Sequence, residues 1–349
     1  MQAINLKTNH LTQPLGIDAG TLFLSWQCAE GVRQTAYEIE VTAGAETLWT
    51  SGKILSSMMH TETPAVPPKT QGRWCIRLWD ENDQPGAWST ASFETGLAQA
   101  DWQGVWVCPE TEEPDIDCTD AINAFAKPNW EQKQAALEAS GKGQVQPYQP
   151  HRPASYLRKT FTAPAGQRKR LYITAKGLYA AWLNGKRVGD MVLAPGSFTA
   201  DKHLGAQTYD VTALVRDGEN ELLIALGDGW YRSTSGVDGD RDLFGKEVAV
   251  LFQLEVDGKA VCVSDSSMAA TQCGPICQND LQQGEVYDAR LEGELSGWHG
   301  VKTEPTSLPI TGMNTVPIRE QESFAGKLLR TPTARPCWTL GRTWQVMWK

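Results

Sequence analysis

The sequence is poor in basic charge, in long apolar runs and in clustered histidine or cysteine. Its 32 Lys and Arg face 41 Asp and Glu, a net charge of −9, which argues against a phosphate-backbone partner. No stretch approaches ~18 apolar residues, so no membrane span is predicted. The opening "MQAINLKTNHLTQPLG" holds no apolar leader core, and a cytoplasmic location with reduced thiols is expected. The Cys at 28, 75, 108, 118, 262, 273, 277 and 337 are scattered. Cys273 and Cys277 stand near each other, with no second pair or neighbouring His to complete a zinc site. The His at 10, 60, 151, 203 and 299 form no helical metal pair. There is no G-x-S-x-G elbow. "GDGWY" lacks the third glycine of a dinucleotide loop, and no βαβ pattern surrounds it.

What is present reads as strands. Hydrophobic content of 41% and charged content of 21% are globular values. Residues 1–97 predict a small β-sandwich. "TAYEIEV" puts Tyr37, Ile39 and Val41 on one face, and "RWCIRLW" sets Trp74, Ile76 and Leu78 against Cys75, Arg77 and Trp79. Residues 98–153 read as a connector with an acidic, Pro-broken insertion and a short helix between Asn129 and Gly141. Residues 154–300 predict a second, jelly-roll-like sandwich. Asn184-Gly185 and Asp217-Gly218 mark its turns; Leu222, Ile224 and Leu226 face one way; "EVAVLFQLEV" is apolar enough to lie between two layers. Arg168-Lys169-Arg170 reads as a solvated strand end. Residues 301–349 read as a partial further β-region. The fold class is therefore all-β: a fibronectin- or immunoglobulin-like sandwich, a jelly-roll-like sandwich and a partial C-terminal β-region.

Chemistry-bearing candidates are few. Trp230 and Tyr231 follow two glycines at a strand end, where rings can stack on a sugar while Asn184, Asp190 and Asp228 hold hydroxyls. The same rings could instead seal the sandwich edge. Asp238, Asp240 and Asp242 alternate like the start of a calcium loop, without the distal Glu of an EF-hand. Calcium or a plain polar loop both fit. Glu285 and Asp288 are the acidic pair that glycoside hydrolysis would need, although Asp288 and Arg290 could equally pair with each other.

Taken in order, "LKTNHLTQPLGID", "LFLSW", "QTAYEIEV", "LWTSGK", "RLWDENDQPGAWS" and "FETGL" resemble the fibronectin-like first domain of bacterial α-L-rhamnosidases. "ASYLRKTF", "LYITAKGLYAAWLNGKRVGD", "LAPG", "QTYDVTALV", "LGDGWY" and "GPI…GEVYDARLE" resemble the β-sandwich that follows. The resemblance covers nearly the whole chain except the 109–150 insertion. It departs at Met268, where the family usually has an aromatic, and at Ser197, where it often has Trp. The resemblance implies a glycoside hydrolase acting on terminal α-L-rhamnosides, with its catalytic carboxylates in a separate helical barrel. No counterpart of that acidic motif stands in this sequence. The chain is thus expected to be the accessory β-domain half, inactive alone. The alternative is a stand-alone module binding a rhamnose-containing carbohydrate, with calcium possible.

The tail "CWTLGRTWQVMWK" fits neither pattern. Shifted by one base, with free choice among synonymous codons, it regroups to "VLDFGQNMAGYVE", the strand that the resemblance implies. Its Leu, Asp, Ala, final Val and Glu follow whatever codons are used. The expectation is a frame slip near Thr331–Pro336, a truncated chain, and a poorly packed segment over about 333–349.

Overall fold

Side-chain alternation decides the first sandwich. Tyr37, Ile39 and Val41 are buried with Trp74, Ile76 and Leu78, because Ala36–Ala43 pairs antiparallel with Gln71–Trp79 and brings both apolar rows to one face. These strands belong to a six-stranded sheet, and a three-stranded sheet carrying Leu24 and Trp26 closes over it. Trp79 departs from the expected pattern. It sits on the opposite face yet is buried, because Lys53 and Arg77 lie over its ring at 4.7 and 4.9 Å.

The computed structural model describes residues 1–110, 152–234 and 241–325, with the backbone of Lys327–Arg330 and Pro336–Thr339. The expected helix at 129–141 and most of the acidic insertion lie outside the described residues. So does the expected frame-slipped tail, apart from a backbone ladder that pairs Pro336–Thr339 with Lys327–Arg330.

In the second sandwich a seven-stranded sheet packs on a five-stranded one. Ala249–Val256 is buried along its whole length, as its apolar run required. The Asn184-Gly185 turn is found as expected. Both residues have positive φ, 51° and 77°, as a two-residue hairpin between Leu178–Leu183 and Lys186–Arg187 demands. Leu157, Leu183, Leu222 and Ile224 fill the core from one sheet, and Leu171, Ile173, Phe252 and Leu254 from the other. The large sheet starts in the connector, at Trp106–Pro109, and continues past 300 with Val301–Glu304 and Ile310–Gly312. Backbone pairing thus joins the connector and residues after 300 to the second sandwich.

Lys169 and Arg170 correct the expectation of a solvated strand end: both are buried. The Arg170 guanidinium donates to both Glu94 oxygens, at 3.0 and 3.2 Å from Nε and 3.0 Å from Nη2. Glu94 belongs to the first sandwich and is itself 3% exposed. Lys69 crosses the same boundary to Glu255 Oε1 and the Gly258 carbonyl, each at 2.8 Å. Lys169 donates to the Val215 carbonyl and to Asp217. The sequence shows a basic run but not the carboxylates that a second domain brings to it. Close approach is permitted at Gly16, where an added Cβ would stand 1.9 Å from Thr208 Oγ1. The two sandwiches therefore meet through a tight joint of buried, paired charge.

Candidate functional site

The strand-end motif at Gly227–Arg232 is built for packing. Asp228 is 1% exposed. It accepts from Arg232 Nε at 2.7 Å and from Arg241 Nη2 at 3.4 Å, and Arg241 also lies 3.8 Å from Asp280. Burial pushes the Asp280 carboxyl up, but the backbone amides of Thr234, Gln283 and Gln282 outweigh it and hold the group below its ordinary range. These charges are committed to one another. Tyr231 packs beside Phe244, 6.3 Å between ring centres, in a small outer core that includes Trp102 and Phe198. Burial raises its hydroxyl pKa. Tyr231 thus takes the edge-sealing role, and Trp230 beside it is half-buried.

The other candidates are not brought together with these. Asn184 donates to the Leu214 carbonyl and Asn220 Oδ1 and accepts from the Glu221 amide, which locks its own turn. Asp190 is exposed and pairs with Arg319 at 2.8 Å. Asp242 takes a two-pronged contact from Arg152, 2.5 and 3.1 Å, so a cation there would compete with a guanidinium. Asp238 and Asp240 lie outside the described residues.

Glu285 and Asp288 sit on an exposed hairpin and its exit. Asp288 caps the turn, accepting from the Arg290 amide at 3.0 Å and from its guanidinium at 2.5 Å, and the Arg290 contact lowers its pKa. The internal ion pair, one of the two readings of this motif, is what forms.

One group was missed. The ligand atoms of Cys108, Glu247 and Glu304 lie within 4.8 Å of one another. Strand register explains why: Cys108 faces Lys302, and Glu304 faces Trp106. Burial, then Glu304, pushes the Cys108 thiol up to about 11. Lys176 holds Glu304 at 2.7 Å and Lys302 holds Glu247 at 3.1 Å. A metal would have to displace two ammonium groups and deprotonate a reluctant thiol.

Two family models match the chain. Residues 3–99 match the family model described as Rha78A-like, N-terminal immunoglobulin domain, and residues 165–330 that of the alpha-L-rhamnosidase N-terminal domain. An alpha-L-rhamnosidase of Formosa agariphila is 31% identical over 312 residues, covering 82% of this chain and 31% of that protein. The alpha-L-rhamnosidase structure from Dictyoglumus thermophilum superposes with a TM-score of 0.75 at 26% identity, covering 95% of this chain and 38% of that one. The Aspergillus terreus enzyme gives 0.78 at 25% identity, covering 97% and 38%. The chain spans 30% to 42% of the length of the curated relatives it matches. Two domain models in sequence, with superposition over nearly the whole chain, show that it belongs to the α-L-rhamnosidase family, of which it carries the N-terminal immunoglobulin-like and β-sandwich domains.

Proposed function

We propose that this chain supplies the non-catalytic β-domains of an enzyme that hydrolyses terminal α-L-rhamnosides, and presents them as one stiff unit. The carrying observation is the joint between the sandwiches. A buried Arg170–Glu94 contact with two N–H donors on one carboxylate fixes orientation as well as distance. Two domains linked only by a mobile tether would not need to desolvate such charges. Hydrolysis itself needs two carboxylates facing each other across a glycosidic bond, about 5–9.5 Å apart depending on mechanism. Glu285 is exposed on a hairpin and Asp288 is bound to Arg290, so this pair does not frame a cleft.

The test is incubation of the purified chain with p-nitrophenyl α-L-rhamnoside. The expected result is release no faster than buffer. Release that tracks the protein through gel filtration and disappears in Glu285→Gln or Asp288→Asn would overturn the non-catalytic reading.

A further inference from the structure

The outer face of the five-stranded sheet in the second sandwich has two unlike ends. Leu157, Leu183, Leu222 and Ile224 point inward and are fully buried, so alternation turns Thr160, Trp182, Glu221 and Leu223 outward. At one end Glu219 and Glu221 are exposed to water. At the other, Trp182 and Leu223 pack with Ile276, Leu295 and Trp298 against the buried Ala154, Tyr156 and Ala225. This apolar strip runs on past the sheet. Ile276 pairs directly with Tyr287 in the hairpin of Ile276–Asp280 and Gly284–Tyr287, so the two side chains share a face. There the covering ends: Leu281, Val286, Tyr287 and Leu291 are 37%, 45%, 49% and 48% exposed.

The hairpin is tied down from beneath. Asp280 accepts from the amides of Thr234, Gln282 and Gln283. Asn279 donates to the Arg152 carbonyl and accepts from the Asp228 amide. The Asp288 amide donates to the Pro275 carbonyl. A backbone held in this way cannot fold its apolar side chains inward, and a cluster of such side chains left in water marks an interaction surface. We propose that this hairpin, with the turn at Ala289–Leu291, is the seat for a further part of the same enzyme, a polypeptide that this chain does not contain. The proposal rests on the accessory-domain reading above and adds to it the surface that carries the load.

Relative length and charge choose the occupant. The chain spans 30% to 42% of the curated alpha-L-rhamnosidases it matches, so the larger part of each relative lies outside the two sandwiches. A stiff accessory unit meets such a part through a surface with an apolar centre, and Val286, Tyr287 and Leu291 supply one. The rim is acidic: Glu285, Glu292 and Glu294 are exposed around it. The complementary face is therefore an apolar patch ringed by Lys and Arg. The same rim repels an anionic lipid surface. A sugar would find its hydroxyl partners already engaged, because Tyr287 donates to Glu292 and Asp288 is bound to Arg290.

The experiment immobilises the full chain and titrates it with the part of the Formosa agariphila alpha-L-rhamnosidase outside the matched region. Saturable binding is expected. Val286→Asp and Leu291→Asp should each weaken it about tenfold or more, by placing an unpaired charge at the centre of the contact. Both side chains stand largely in water, so the unfolding midpoint of the isolated chain should not move. The intact Formosa enzyme, whose own matched domains fill the place, should not bind. A second measurement does not require that part to fold alone. With the full chain fused ahead of it, hydroxyl-radical oxidation of Tyr287 and Leu291 should fall severalfold relative to the isolated chain, while the exposed Trp88 of the first sandwich keeps its rate. Unchanged oxidation of both residues in the fusion, or binding that neither substitution weakens, would overturn the docking surface. Self-association of the isolated chain that Leu291→Asp abolishes, without protection in the fusion, would give the face to a second copy instead. In each of these cases the accessory-domain reading stands, because it falls only if the chain alone hydrolyses the rhamnoside.

Discussion

Two polar regions of this molecule contain the same kinds of groups and use them in opposite ways. At the joint between the sandwiches, Glu94, Arg170, Lys69 and Glu255 are paired, and Glu94, Arg170 and Glu255 are almost wholly buried. On the outer sheet face, Glu219 and Glu221 are exposed, and their carboxylates have no partner among the described residues. The difference teaches where to look for function in such a chain. A buried charge must find its partner inside the protein, so it reports on architecture. An exposed carboxylate needs no partner inside the protein, because water solvates it, so it says little about architecture. The strand-end Asp228 looked like a sugar ligand from its neighbours Trp230 and Tyr231; its burial against Arg232 places it in the first group.

The largest effect should come from breaking the joint. Arg170→Ala leaves the buried Glu94 with only the distant Arg168 guanidinium, 3.9 Å away, and removing one partner of such a pair typically costs about 3–5 kcal/mol. Denaturant unfolding should show a midpoint lowered accordingly, with the single transition split into two as the sandwiches uncouple. A loss below about 1 kcal/mol would mean that the joint is solvated and that the contrast drawn here is false. Gly16→Ala tests the same boundary by shape. The new methyl would meet Thr208 and also require φ near +80°. A loss of roughly 1–3 kcal/mol is expected, from overpacking and backbone strain together.

Much of the fold was legible because period-two alternation is local. Tyr37, Ile39 and Val41, or Leu222, Ile224 and Leu226, declare their buried face within one strand, and Asn184-Gly185 declares its turn. The joint was not legible, because Glu94 and Arg170 are 76 positions apart and nothing in either string names the other. The same reason hid the sheet face. Thr160, Trp182 and Glu221 lie on three strands that register alone makes neighbours. Spacing along the chain favoured compact strings such as "VDGDRD" and "GEVYDAR" instead. In the described part of these strings, nearby arginines answer the acids: Arg152 for Asp242 and Arg290 for Asp288.

A smaller, graded effect should appear with pH. Asp280 is buried, yet its amide donors hold its pKa below the ordinary 3.8. A carboxyl depressed in the folded state stabilises fully above its unfolded pKa, and that stability is lost as pH falls through the folded value. Thermal midpoints should therefore drop below about pH 4, and Asp280→Asn should flatten that limb while lowering stability at neutral pH. The alkaline side runs the other way. Burial raises the Cys262 thiol from 9.0 to about 12 and Cys108 to about 11. Their neutral forms stabilise the fold below pH 9, and this contribution is lost as pH climbs toward the folded values. Cys262→Ala should flatten the alkaline limb.

The smallest expected effect separates the two regions most sharply. Glu221→Gln on the open face removes a charge that has no partner and stands two residues from another of the same sign. Its backbone amide still donates to Asn184 Oδ1, so the hairpin lock survives. Stability should change by less than about 0.5 kcal/mol and, if anything, rise through relief of like-charge repulsion. The rise should shrink as added salt screens the remaining carboxylate. A residue that stabilises nothing where it stands, and slightly strains its own surface, is the opposite of Glu94. If Glu221→Gln instead cost as much as a buried partner does, the face would be architecture too, and the contrast with Glu94 would fail.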